Sequence, residues 1–142
     1  MIYAMPILDT DILIAFLRGK EKAVSTLKNL KKQDLPIKTT IFNAAELFKG
    51  CYSAKNVAKS INKIQSLLSS LHEILPFEES AMQEYAKISS DLKKRGLMSG
   101  TMDELIAGVC MANNETLYTG NIRHFEKIPE LSLINWRKKD TT

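Results

Sequence analysis

The sequence predicts an α/β fold in which a central parallel sheet is covered by helices on both faces. Short extended segments alternate along the chain with longer segments of helical periodicity, and this alternation is typical of parallel βαβ units. The first short segment is an apolar run, as expected for a strand that is buried on both faces. With 142 residues, the chain is expected to form a single domain over 1–142.

The predicted sheet has four or five strands. Strands are expected at 5–8, 36–39, 73–77 and 116–119, and the segment 132–134 is the candidate for a fifth. Helices are expected at 12–17, 20–32, 41–52, 54–71, 79–95 and 101–114. Thr40 is the expected N-cap of the third helix. The fifth helix is expected to face the core with Met82, Tyr85, Ile88 and Leu92.

Composition and charge favour a soluble cytoplasmic protein. No apolar run approaches the roughly 20 residues that span a bilayer, and the start of the chain lacks the cationic and apolar regions of a secretion signal. Cys51 and Cys110 lie outside any CxxC pattern and are expected to be reduced core thiols. The net charge of +4 permits a polyanionic partner but does not require one.

Three acidic residues fall where strands end or helices begin. Asp9 follows the first strand, Glu46 lies in the helix after the second strand, and Asp103 lies in the first turn of a nearly apolar helix. Each also has an ordinary structural explanation. Asp9 could cap a helix or form a turn, Glu46 could lie on a solvated face, and Asp103 could simply start its helix.

Considered together, the three acids indicate a metal site. The carboxyl ends of parallel strands share one sheet edge, so we expect Asp9, Glu46 and Asp103 to lie together there. Clustered carboxylates repel one another unless a cation is present, and a set of oxygen ligands suits Mg²⁺ or Mn²⁺ rather than Zn²⁺. Such a metal can activate water and neutralise a phosphodiester during in-line displacement. The candidates for additional hydrogen bonds to metal waters or to a phosphate are Thr10, Thr119 and Asn121.

Four sequence blocks then support a family resemblance. They are ILDTDILIAFLRG, TTIFNAAELFKG, MDELIAGVCMANNETLYTGNIRHF and IPELSLINW, and together they reach from the N-terminus to about Trp136. In this order the blocks resemble the PIN-domain ribonuclease toxins of the VapBC toxin–antitoxin type. The resemblance implies a three-layer α/β/α sandwich that cleaves RNA with Mg²⁺ or Mn²⁺. It also implies a homodimer and a cognate antitoxin whose tail enters the acidic groove.

The resemblance also assigns roles to individual residues. It implies that Asp9, Glu46 and Asp103 are the metal ligands and that Asn121, at the TxN position, belongs to the catalytic site. Two residues depart from the family pattern, because Asp11 stands where Asn is frequent and His124 stands where Asp or Glu is frequent. With a neutral Asn121, a single metal, or a second metal recruited with the substrate phosphate, fits better than two tightly held metals.

Two further interpretations stay open. A PIN-like scaffold could bind RNA or a protein partner without cutting, which the neutral Asn121 and the mild charge would suit. Alternatively, Asp9 and Asp11 could be the nucleophile and acid/base pair of a HAD-like phosphatase. That class also needs a downstream Lys and a late acidic pair, whereas TGN follows the fourth strand here. In the nuclease interpretation, Arg123 is the expected contact to a phosphate or to the antitoxin, and His124 has a structural or surface role.

Overall fold

The computed structural model describes residues 5–138, and its centre is a five-stranded parallel sheet. The strands are β1 (Pro6–Leu8), β2 (Lys38–Thr40), β3 (Glu73–Leu75), β4 (Thr116–Thr119) and β5 (Leu133–Asn135). Their order in the sheet is β3-β2-β1-β4-β5, and every neighbouring pair is parallel. The predicted parallel sheet, including its fifth strand, is confirmed.

Helices connect the strands along the described chain. Their bounds are α1 (Thr10–Leu17), α2 (Glu21–Lys32), α3 (Ile41–Cys51), α4 (Val57–Ser70), α5 (Glu79–Lys94), α6 (Thr101–Asn113) and α7 (Ile122–Phe125). The predicted N-cap of the third helix is confirmed, because the Thr40 side chain accepts a hydrogen bond from the backbone N–H of Asn43. Every helix within residues 5–138 is too short or too polar to cross a bilayer.

Two hydrophobic cores lie on opposite faces of the sheet. Leu8 and Tyr118 belong to the core that α1 to α4 cover, whereas their neighbours Ile7 and Leu117 belong to the core that α5 to α7 cover. Adjacent residues of a strand point to opposite faces, so a single strand supplies both cores. The arrangement is therefore the three-layer α/β/α sandwich that the resemblance implied.

The face that α5 presents to the core differs from the prediction. Ile88 and Leu92 are buried as expected, but Met82 is 47 % exposed and Ala81 is buried in its place. A Cβ atom added at Gly108 of α6 would lie 2.9 Å from the carbonyl oxygen of Ala81. The two helices thus approach too closely at this level for a methionine side chain, and a small residue takes the contact.

Several bounds of the secondary structure also differ from the prediction: β3 ends at Leu75 rather than at residue 77, and α4 begins at Val57 rather than at residue 54. Strand β2 begins at Lys38 rather than at residue 36, since Pro36 has no N–H to donate to a neighbouring strand. The short helix α7 was not predicted, because four residues are too few to show apolar periodicity. This omission matters because α7 carries His124 and Arg123.

The topology brings four chain segments to one edge of the sheet. Parallel strands end at the same edge, so Asp9 after β1, the start of α3 after β2 and Gly120 after β4 all lie there. Helix α6 leads back into β4 and therefore runs opposite to it, which places its N-terminus and Asp103 at this carboxyl edge as well.

Candidate active site

Three hydrogen bonds hold the Asp9 carboxylate at the end of β1. Its Oδ1 accepts from the backbone N–H of Thr10 at 2.9 Å and from the side-chain amide of Asn43 at 2.8 Å. Its Oδ2 accepts from the hydroxyl of Thr119 at 2.7 Å. Asp9 is also the N-cap of α1, so helix capping and a place in the site are compatible. A carboxylate oxygen has two lone pairs, and Oδ2 therefore keeps one for another ligand.

Asn43 and Thr10 connect Asp9 to Glu46. The Asn43 amide donates a second hydrogen bond to Thr10 Oγ1 at 2.9 Å, and the Thr10 hydroxyl donates to Glu46 Oε1 at 2.8 Å. Asn43 is fully buried, and its own orientation is set by Thr40, whose hydroxyl donates to Asn43 Oδ1 at 2.7 Å. This chain of hydrogen bonds fixes Asp9 and Glu46 relative to each other.

Burial raises the pKa of Asp9 from 3.8 to about 6. The hydrogen bonds from Thr119, Thr10 and Asn43 lower the pKa, and the nearby Asp11 carboxylate raises it, but desolvation is the largest influence. A positive charge beside this carboxylate would favour its ionised form and bring the pKa down again. Asp9 is therefore an acid that gains from a bound cation, as is common at functional sites.

Asp103, at the start of α6, is paired with His124 of α7. Oδ2 of Asp103 lies 2.9 Å from Nδ1 of His124, and the two side chains are 23 % and 55 % exposed. No partner for His124 was evident in the sequence, because the two residues are 21 positions apart and α7 was not predicted. Oδ1 of Asp103 accepts no hydrogen bond from residues 5–138, so it is free for another ligand.

The carboxylates share an edge but do not form a preassembled metal cluster. Within the described part of the chain, no three His, Cys, Asp or Glu side chains lie close enough together to hold a metal ion. Asp9 and Glu46 belong to one hydrogen-bond network, and Asp103 belongs to another. The donor set still has the chemistry that Mg²⁺ and Mn²⁺ prefer, since each acid offers carboxylate oxygen. The sequence thus predicted the shared edge correctly, while the close convergence of all three oxygens is not seen.

The predicted neutral residues of the site lie at different depths. Thr119 is fully buried, which excludes direct contact with a substrate in this conformation. It instead relays a hydrogen bond, because the Asn121 backbone N–H donates to Thr119 Oγ1 at 3.0 Å and Thr119 donates to Asp9. The side chains of Asn121 and Arg123 are exposed beside this relay. In this conformation Thr119 therefore positions Asp9, and the hydrogen bond to a metal water or a phosphate that was suggested for it stays a prediction.

Comparison with known proteins identifies the fold family. A model described as "PIN domain" matches residues 7–131 of the chain. The chain is also 34 % identical to Ribonuclease VapC2 from Rickettsia felis, over 97 % of this chain and 100 % of that protein. This chain belongs to the PIN-domain family and is of the VapC type. A further similar protein is Ribonuclease VapC1 from Haemophilus influenzae strain R2866, at 29 % identity over 97 % of this chain and 100 % of the relative.

Solved structures agree with this assignment. The PIN domain described here superposes on a chain of the VapBC2 crystal structure from Rickettsia felis, which is bound to a DNA fragment from their promoter, with a TM-score of 0.85. That match has 32 % sequence identity and covers 93 % of this chain and 98 % of the other. The similarity supports the layer arrangement.

Asp11, one of the departures from the family pattern, has a structural role in this PIN domain. Its Oδ2 accepts from the backbone N–H of Gly120 at 2.7 Å, and its Oδ1 accepts from Trp136 Nε1 at 3.3 Å. Asp11 thereby ties α1 to the ends of β4 and β5. The HAD-like interpretation of Asp9 and Asp11 is wrong, because the chain is a PIN domain and the Asp11 carboxylate accepts these two structural hydrogen bonds.

Two residues of this edge were not singled out from the sequence. Asn43 joins the two acids of the first network, and the signal that could have revealed it is its place three residues after the N-cap Thr40. Glu104 follows Asp103 in the first turn of α6, and it is only 4 % exposed. Its carboxylate accepts no hydrogen bond from residues 5–138, and its position next to Asp103 places it in the turn of α6 that lies at this edge.

Proposed function

We propose that this PIN domain is a metal-dependent endoribonuclease and the toxin of a toxin–antitoxin pair. The hydrogen-bonded network that joins Asp9 to Glu46 at the carboxyl edge carries this proposal, because it holds two carboxylates in fixed positions where an α/β protein binds its ligand. Two relatives that match over their full lengths are named ribonucleases, and this supports RNA as the substrate class.

In this proposal, Asp9, Glu46 and Asp103 hold Mg²⁺ or Mn²⁺. Each of the three has a carboxylate oxygen with at least one lone pair not used by the hydrogen bonds described above. The cation would supply positive charge that neutralises the phosphodiester and lowers the pKa of the attacking water. Asn121 completes the proposed catalytic set, and its exposed side chain lies two residues beyond Thr119, where it can contact substrate.

The remaining residues of the site hold the acids in place. Thr119 restrains Oδ2 of Asp9, and Thr10 restrains Oε1 of Glu46, so both predicted substrate-binding threonines orient ligands. His124 restrains Oδ2 of Asp103 and leaves Oδ1 free. Arg123, exposed on α7, is proposed to contact a substrate phosphate.

The partners proposed for the chain follow from its VapC type. We propose a homodimer in the cytoplasm that is silenced by a cognate antitoxin. Co-expression with the product of a small neighbouring open reading frame should relieve growth inhibition and co-purify with the chain. A product that does neither would contradict the toxin role while leaving the nuclease role intact.

Cleavage of RNA by purified protein tests the central proposal. Total RNA and fluorophore–quencher RNA oligonucleotides would be incubated with the chain in EDTA, Mg²⁺ and Mn²⁺. Cleavage should require the divalent cation, and Asp9→Asn or Asp103→Asn should slow it on the order of 100-fold or more. Asp91→Asn is the matched control, because it removes the same charge from an exposed pair with Arg95 on α5.

The outcomes of this assay separate the alternatives. Equal rates for the wild type and a repurified, folded Asp103→Asn would refute the assignment of the site. Binding of Mn²⁺, followed by electron paramagnetic resonance, gives a readout of the ligands that does not depend on activity. The second candidate, a PIN domain that binds RNA without cutting, is favoured by the lack of a preassembled cluster in residues 5–138. RNA binding without cleavage under any cation condition would establish it.

A further inference from the structure

A groove of about 490 Å³ lies beside the acidic edge, and the proposed site does not use it. One wall is a stripe of α1 whose residues are spaced by three and four positions, namely Asp11, Ile14, Ala15 and Arg18. The opposite wall is formed by the residues that follow β5, Trp136 and Arg137. The groove therefore has apolar surface from Ile14 and Ala15 of α1, with charged side chains around it.

The rim of this groove is strongly positive. Arg18, Lys20 and Arg137 line it, and the only carboxylate among its lining residues is Asp11. That carboxylate is already satisfied by the Gly120 and Trp136 N–H groups, and its Oδ2 lies 3.8 Å from the Arg137 guanidinium. The groove consequently presents two net positive charges to a ligand. An anion with an apolar face matches this combination.

Arg137 offers a flat surface as well as a charge. Its guanidinium carbon lies 5.0 Å from the centroid of the Trp136 ring, and the Trp136 residue is only 6 % exposed. The Arg137 side chain is 58 % exposed, so it lies over the Trp136 ring and still has open surface for a ligand. Planar guanidinium groups in such stacks bind nucleobases by stacking and phosphates by hydrogen bonding.

Gly120 connects this groove to the acidic site. A Cβ at Gly120 would lie 2.6 Å from Arg137 Nε and 2.7 Å from Asp11 Oδ2, so a larger residue would have to displace the side chain of Arg137 or Asp11. The next residue, Asn121, begins the hydrogen-bond relay through Thr119 to Asp9. Gly120, which contacts the groove residue Asp11, and Asn121, which belongs to the relay of the acidic site, are thus consecutive residues after β4.

We propose that this groove is an RNA subsite that binds a nucleotide flanking the cleaved bond. The proposal rests on the proposed ribonuclease function. In it, Arg18, Lys20 and Arg137 bind a backbone phosphate, and the attached nucleoside lies against Ile14 and Ala15. An RNA strand crossing the acidic edge needs such compensation, because phosphates and unshielded carboxylates repel one another. An acidic segment of a protein is the competing ligand that the test must separate.

Trp136 gives a local readout of this groove, since it is the single tryptophan of the chain. Its fluorescence, excited at 295 nm, would be followed while inorganic phosphate, a nucleoside monophosphate, a short single-stranded RNA and a poly-glutamate peptide are added separately. The Asp103→Asn variant in EDTA prevents cleavage of the RNA. RNA should change the emission at lower concentration than phosphate, and Arg137→Gln should remove most of the change.

Salt-dependent RNA binding measures the same contacts independently. Fluorescence anisotropy with a labelled single-stranded RNA would compare Arg18→Gln and Arg137→Gln with Lys28→Gln and Lys94→Gln, whose exposed lysines lie outside the groove on α2 and α5. Each groove variant should weaken binding about 3- to 10-fold and reduce the slope against log salt by about 0.7, as expected for one lost phosphate contact. The control variants should change both quantities much less.

The possible results are distinguishable. Equal affinities and salt slopes for the groove and control variants would overturn the proposal, as would a Trp136 response to poly-glutamate but not to RNA. If the wild type cleaves RNA while the groove variants bind it normally, only the subsite is refuted. If the groove variants lose RNA binding but no condition gives cleavage, the subsite stands and the nuclease function fails.

Discussion

Replacing Asp9 with asparagine should stabilise the fold above pH 6 while removing the proposed activity. Asparagine can keep the local hydrogen bonds, because its oxygen can accept from Thr10 and Asn43 and its amide can donate to Thr119 Oγ1. The substitution removes the charge that burial penalises, but it also leaves the buried Thr119 hydroxyl proton without its acceptor. We therefore expect a gain in the free energy of unfolding whose upper limit follows from the raised pKa of the Asp9 carboxyl.

The magnitude follows from the pKa of Asp9, which rises from 3.8 to about 6 on folding. A raised pKa means that the folded protein binds the proton more tightly than the unfolded chain does. The tighter binding of this proton stabilises the wild type fully below about pH 4, and this stabilisation is lost as the pH rises through about 6. At about 1.36 kcal/mol per pKa unit, the loss is about 3 kcal/mol at neutral pH. For a chain of this size, that corresponds to a change in Tm of about 10 °C.

Urea unfolding of the wild type and Asp9→Asn, measured in EDTA from pH 4 to pH 8, tests this reasoning. The difference in the free energy of unfolding should grow with pH in favour of the variant and level off above about pH 7. Asp91→Asn should differ from the wild type by only a few tenths of a kcal/mol, because its pair with Arg95 is exposed. A variant that is less stable than the wild type at pH 7.5, or a difference independent of pH, would refute the reasoning. Either result would mean that the hydrogen bonds to the ionised Asp9 carboxylate compensate fully for its desolvation on burial.

Three further experiments have expected outcomes. Gly108→Ala should lower the free energy of unfolding, measured with urea, by about 1–3 kcal/mol, because the added methyl group meets the backbone of α5. The matched Gly50→Ala should leave this free energy unchanged or raise it by about 0.5 kcal/mol, because no atom lies within 4 Å of the added methyl group. Asn43→Ala should lower the free energy of unfolding by about 1–3 kcal/mol, because a buried carboxylate loses a donor; an unchanged midpoint would contradict the network. Cys51 and Cys110 are both free and buried, so neither should react with a thiol reagent until the protein unfolds, and rapid native labelling would contradict their burial.

The fold could be predicted from the sequence because its signals are local. The apolar run that ends at Leu8 and the periodicity of the intervening helices depend only on neighbouring residues, and the parallel topology follows from their order. The same topology predicts which edge carries Asp9 and Asp103, since strand direction alone decides it. The face of α5 could not be predicted, because the burial of Ala81 rather than Met82 depends on how closely Gly108 lets two helices approach.

The hydrogen bonds of the site were less predictable because their partners are distant in sequence. Asn43 reaches Asp9 across 34 positions, and Asp11 reaches Gly120 across 109. Residue type could suggest that each side chain is polar and near an edge, but not which acceptor it would meet. The residue type of Thr119 suggested a hydrogen bond to a metal water or a phosphate, but not its hydrogen bond to Asp9, which lies 110 positions away.

The separation of Asp103 from the other two acids has a physical explanation in these local partners. Asp9 accepts hydrogen bonds from Thr119 and Asn43, and one oxygen of Glu46 accepts a hydrogen bond from Thr10. One oxygen of Asp103 is paired with His124. Each carboxylate thus has polar partners of its own, and three mutually repelling charges gain nothing by moving closer. A cation held by these acids, as proposed above, would offset that repulsion. Asp9 Oδ2 and Asp103 Oδ1 each keep a lone pair that the hydrogen bonds leave unused, so a cation could bind there without the loss of these partners.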